Sequence, residues 1–202
     1  MTTPSTIIKR RSKRLFLPAL ALLAALSTLP ITTASFAADD TASETKKVTL
    51  IGKDGSRLEI ASVTLTKTEE GEKISINFIE DRFSEHFLSM RPFKCIDGDQ
   101  TLCHLPYPYK TKDIITKDNL MDLEYKLLFI HKGAGEYGIN FWNGVYYRLK
   151  REHDGSFTGV VWETDMDELA APPEVEYSRP IGGDDLSEGA EGKHRYPLVE
   201  IK

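Results

Sequence analysis

The chain of 202 residues carries 26 basic and 31 acidic side chains, a formal charge of −5, and only two cysteines. A net acidic surface repels phosphate backbones and anionic lipid headgroups, which argues against nucleic acid and electrostatic membrane docking. Two cysteines exclude a four-thiolate zinc centre and a disulfide-dense miniature scaffold.

The N-terminus has the three parts of a secretory signal. Lys9, Arg10, Arg11, Lys13 and Arg14 form a cationic start, Leu15 to Leu26 is uncharged and rich in Leu and Ala, and Ala34, Ser35, Phe36, Ala37 and Ala38 supply small residues for cleavage. Cleavage after Ala37 or Ala38 is expected, with a signal at 1–37. "SKRLFL" resembles a twin-arginine signal with Lys13 in place of the first arginine. That change favours the general secretory route. An uncleaved anchor over Leu15–Ala38 is the competing reading. Without residues 1–38 the chain has 21 basic against 31 acidic residues, a formal charge of −10. A periplasmic or secreted protein with no stable membrane anchor after cleavage follows.

Residues 38–47 read as a flexible lead. From Val48 short apolar runs alternate with tight turns. "KDG" closes Val48–Ile51. Arg57–Thr66 is a second strand whose alternation changes phase between Ile60 and Ala61, the mark of a bulge. "EEGE" turns it into Lys73–Ile79, where Ile74, Ile76 and Phe78 share one face. Phe83–Phe93 fits helix and strand, and a strand is preferred because a hairpin is expected to follow.

"TKDNLMDLEYKLLFIHKG" predicts a helix over 117–132, with Thr116 as N-cap and Gly133 as stop. Its stripe of Leu120, Leu123, Leu127 and Ile130 would pack on a sheet. Asn143-Gly144 predicts a hairpin turn into a strand with Val145, Tyr147 and Leu149 on one side and Tyr146, Arg148 and Lys150 on the other. Asp154-Gly155 predicts the next turn, and Asp165–Ala170 a single helical turn stopped by Pro172 and Pro173. Residues 48–171 thus form one β-rich domain. Residues 172–202 read as a tail rich in Pro, Gly and acid, with an edge strand at 196–201 where Pro197 is tolerated. The fold class is α+β, mainly β: an antiparallel meander or partly closed small sheet packed by one amphipathic helix.

"RPFKCIDGDQTLCHLPYPYK" (Arg91–Lys110) holds both cysteines. If Cys95 faces Cys103 across a hairpin, Ile96 pairs with Leu102, and a disulfide fits the short separation of a non-hydrogen-bonded pair. The spacing is too long for a CxxC redox centre. Cys95, Cys103 and His104 make only three ligands for zinc, and around Asp97 and Asp99 the glycine is misplaced for a calcium loop and no downstream glutamate closes the shell. No metal or cofactor is expected.

After the staple, Pro106 and Pro108 force an extended segment carrying Tyr107 and Tyr109. These two, with Trp142 and Tyr146, are the candidate ligand-binding residues; a Pro-rich crossover covering the core edge is the plainer reading. No catalytic residue is assigned, since the chain has no nucleophile elbow, zinc-binding helix or phosphate loop. The expected function is a non-catalytic envelope protein that binds a small ligand or a protein partner. The alternative is a small secreted hydrolase whose site assembles from dispersed residues such as His86 or His104.

Overall fold

The computed structural model describes residues 42–88 and 90–202; the export segment read from the sequence lies outside them. The described chain is mainly β. Its strands are β1 (Ser43–Ile51), β2 (Arg57–Thr68), β3 (Gly71–Phe78), β4 (Ser84–Leu88), β5 (Arg91–Ile96), β6 (Gln100–His104), β7 (Ile114–Ile115), β8 (Phe129–Gly133), β9 (Gly144–Arg151), β10 (Phe157–Thr164), β11 (Ser187–Glu188) and β12 (Leu198–Ile201). One short helix, α1 (Met121–Tyr125), precedes β8.

All strands join one open antiparallel sheet in the order β4-β5-β6-β8-β9-β10-β12-β1-β2-β3-β7, with β11 beside β10. The sheet bends back on itself. Phe78 of β3 meets His104 of β6 with ring centroids 4.3 Å apart, although six strands separate them in the order. Arg151 of β9 likewise pairs with Glu72 of β3. Val48, Leu50, Ile60, Val63, Phe129, Val145, Tyr147 and Val199 line the concave side. A second cluster, with Phe93, Tyr125, Leu128, Ile130, Tyr146 and Ile181, fills the convex side of β5, β6, β8 and β9.

Several expected elements form as read. The phase change in β2 is a bulge: Val48 pairs with Ala61 and Thr49 with Glu59, which leaves Ile60 as the extra residue. Ile60 and Ala61 are therefore both fully buried. The odd residues Val145, Tyr147 and Leu149 face the concave core, and Tyr146 faces the convex one. Asp154 accepts the Ser156 N–H at 2.9 Å, and Gly155 takes φ +80°, as the turn requires. Phe83–Phe93 is extended but not one strand: it breaks before Arg91 into β4 and the start of β5, which pair with each other.

Other expectations are corrected. The helix over 117–132 shrinks to five residues, because Phe129–Gly133 is strand β8, paired with β6 and β9. Phe129 enters the concave core and Ile130 the convex one. A strand buried on both faces is a continuous apolar run, and "LLFI" reads equally well as a helical stripe. Thr116 is no N-cap of α1; its hydroxyl accepts the Asn119 N–H at 3.1 Å in the preceding turn.

Asn143-Gly144 makes no hairpin turn. Gly144 opens β9 because a Cβ there would stand 2.4 Å from the Thr164 carbonyl oxygen. The lead is shorter than 38–47, since Ser43 already pairs with Thr66. Residues 198–201 are not an edge strand: β12 lies between β1 and β10. Ile181, in the expected tail, is fully buried.

Candidate ligand groove

Cys95 and Cys103 form a disulfide, with Cα atoms 3.9 Å apart and Ile96 opposite Leu102. The bond ties β5 to β6 just before a strap at 105–109. The strap starts where the Leu105 N–H donates to the Leu128 carbonyl at 2.9 Å. Two prolines keep it extended, and exposure alternates along it: Pro106 and Pro108 are open, Tyr107 and Tyr109 half-buried.

The tyrosines turn inward. Tyr107 packs edge-on against Tyr125 at 4.9 Å and against Tyr109 at 5.4 Å. Its hydroxyl donates to the Ser178 carbonyl at 3.4 Å, and that of Tyr109 to the Leu169 carbonyl at 3.1 Å. The Arg179 guanidinium, paired with Asp122, lies over the rings of Tyr107 and Tyr125. Tyr146, buried, stands 6.1 Å from Tyr125 and donates to Glu124 Oε2 at 2.5 Å. The fold thus brings Tyr107, Tyr109 and Tyr146 into one ladder through Tyr125, beneath residues 169–181. Trp142 is apart from it. It lies on a 3₁₀ turn (Phe141–Asn143), is 68 % exposed, and has no ring contact with the three tyrosines among the described residues.

The prolines face outward onto a groove of about 450 Å³. Pro92, Phe93, Leu105, Pro106 and Pro108 form its apolar walls, with Glu85, Arg91 and Lys94 around them. Lys94 is paired with Glu80, and the Arg91 guanidinium rests over Phe93 and Phe141 at 5.3 and 5.9 Å. His104 also borders the groove. Its Nε2 lies 3.2 Å from the Lys126 carbonyl oxygen, and its ring contacts Phe78 and Phe129. Burial lowers its pKa to about 4, and the nearby Lys94 charge adds to this. The sequence signal for this face was the strict Pro-Tyr-Pro-Tyr alternation. Its prolines border this groove, and its tyrosines turn to the ladder on the other side.

A second cleft, of about 580 Å³, opens between the start of α1 and β9. Glu124 sits at its floor, and burial pushes its carboxyl above the usual carboxylate range. Both its oxygens are occupied, one by the Tyr146 hydroxyl and the other by the Leu149 N–H at 2.7 Å. On the rim, Arg151 pairs with Glu72 and Lys150 with Glu152. A carboxylate already holding two donors is a brace between α1 and β9, not a free base.

The dispersed-site alternative meets a similar obstacle. His86 Nε2 lies 2.7 Å from Asp97 Oδ1, and hydrogen bonds from Ser84 and His86 hold the Asp97 carboxyl below its usual range. Asp97 stands between Ser84 and His86, so this imidazole is placed to hold the acid and not to take the Ser84 proton. Among the described residues no group of His, Cys, Asp or Glu is arranged to hold a metal ion. Comparison with family models, curated proteins and solved structures finds no match to this chain.

Proposed function

We propose that this chain is an exported, non-catalytic binding module that takes a small, largely apolar ligand in the groove between the β4–β5 hairpin and the strap. The observation that carries the reading is the outward pair Pro106 and Pro108 facing Pro92 and Phe93, an apolar concavity left open at the surface. Its walls are rigid. Proline has no side-chain freedom to lose on binding, and the disulfide holds the strap's start, so little ordering entropy opposes a ligand. Export is supported by the cationic, apolar and small-residue series at the N-terminus and by the disulfide, which belongs to an oxidising compartment such as the periplasm or the extracellular space. Among the described residues no helix is long and apolar enough to cross a membrane.

Fluorescence titration with the neutral apolar dye Nile red tests the reading. The expected result is saturable one-to-one binding, weakened about tenfold or more by Pro108→Glu, which places a charge in the groove that binding would have to desolvate. Thermal melting of the variant should match the parent, because Pro108 is exposed. Binding that does not saturate, or that ignores the substitution, would overturn the proposal.

A further inference from the structure

The geometry points to His104 as the specificity-determining residue of this groove, selecting neutral ring-bearing ligands that carry an O–H or N–H donor; the inference rests on the groove reading above. The imidazole has two nitrogens with different tasks. Nε2 faces the Lys126 carbonyl oxygen at 3.2 Å, and a carbonyl can only accept, so the ring proton is on Nε2. Nδ1 then carries a lone pair. It has no hydrogen-bond partner among the described residues, and it is not among the buried polar atoms left without one. An acceptor that is neither satisfied nor sealed away, on a residue bordering the groove, can be reached from it.

The ring cannot easily turn to hide that nitrogen. Phe78 lies against it at 4.3 Å and Phe129 at 5.4 Å, and rotation would break the bond to Lys126. With its pKa near 4 the ring is neutral at ordinary pH and cannot act as a cation. An anion would meet the Nδ1 lone pair and be repelled. The charged groups around the groove are of both signs, Glu85 with Arg91 and Lys94, which gives no advantage to a net-charged ligand. A neutral donor satisfies Nδ1 while the proline and phenylalanine walls take the apolar ring.

The test is an NMR titration of the full exported protein with p-ethylphenol and with its methyl ether, p-ethylanisole. Both should shift resonances of Phe93, Leu105 and the strap. The phenol should bind about fivefold more tightly, the worth of one net hydrogen bond. It should also move the His104 Nδ1 nitrogen resonance upfield, where the ether leaves it in place. In His104→Phe, which keeps a ring against Phe78 and Phe129, the preference should vanish. Equal affinity for both probes with an unmoved Nδ1 resonance would overturn the role of His104 and leave the groove standing. Failure of either probe to shift groove residues would overturn the groove reading itself, and this inference with it.

Discussion

The Tyr125 hydroxyl closes a two-way bridge with the backbone of Ile181, donating to its carbonyl at 2.9 Å and accepting from its N–H at 2.7 Å. Both residues are buried, and the bridge spans 56 positions in sequence. It fastens the segment after Pro173 over the tyrosine ladder. Tyr125→Phe keeps the ring and leaves two backbone groups unsatisfied. A loss of about 2 kcal/mol is expected by urea denaturation, together with faster protease cleavage within 172–186. A variant as stable and as resistant as the parent would show that the segment is held by other contacts.

The disulfide closes a short loop. On the chain-entropy model it contributes roughly 2.5 kcal/mol by restricting the unfolded chain. Replacing Cys95 and Cys103 together by alanine should lower the melting temperature. Nile red affinity should fall only modestly, because Leu105 is still anchored to Leu128. Alkylation of the native protein should detect no free thiol; labelling at either cysteine without reduction would contradict the bond.

Acid should destabilise the protein through His131 and His104. His131 is lowered to about 4, first by burial and then by the charges of His194 and Lys193, while Glu163 and Glu136 act the other way. Its ring stands 5.1 Å from that of His194, its Nδ1 faces Gln100 Nε2 at 3.4 Å, and its Nε2 is buried without a partner. His104 is lowered similarly. For both, the folded value lies below the unfolded 6.5, so folding favours the neutral ring. The stabilisation is whole above pH 6.5 and is lost as pH falls towards 4. Each histidine accounts for about 3 kcal/mol over that window. Glu124, raised by burial, works in the opposite sense, which makes a difference measurement the cleaner one. His131→Gln should lose about 3 kcal/mol less than the parent between neutral and acid pH. Parallel stability profiles for the two proteins would refute this.

Three of the candidate binding residues, Trp142, Tyr107 and Tyr146, separate under substitution. Trp142→Ser should change stability by no more than ~0.5 kcal/mol, as for an exposed site. Tyr107→Ser should cost about 2 kcal/mol, somewhat under the ~3 kcal/mol or more for a fully buried aromatic. Tyr146→Phe should cost ~2 kcal/mol, since it leaves the buried Glu124 carboxylate short of a donor. Thermal and chemical melts decide each case. A large loss at Trp142 would mean that it is covered by something the isolated chain does not show.

Local rules read well wherever the physics is local. The Asp154-Gly155 turn, the bulge at Ile60 and Ala61, the two faces of β9 and the pairing of Cys95 with Cys103 each depend on residues within a few positions of one another. The candidate site was legible only as a segment. That the strap of residues 105–109 is extended follows from Pro106 and Pro108. Which half of the alternation meets solvent depends on Tyr125, Leu169 and Ser178, which are distant in sequence.

Composition, the polar–apolar alternation and the turn chemistry by themselves determined a mainly β domain with a stapled hairpin and a rigid strap. Tertiary structure alone decided the rest. Phe129–Gly133 is strand and not helix because β6 and β9 offer its backbone partners on both sides. Leu198–Ile201 is central and not peripheral because β1 and β10 leave a place between them. His104 is fixed in place only when Lys126, Phe78 and Phe129 close around it. The physical reason is the same in each case: backbone hydrogen bonds and buried rings are satisfied by groups far away in the chain, and no periodicity in a short window records where those groups will be.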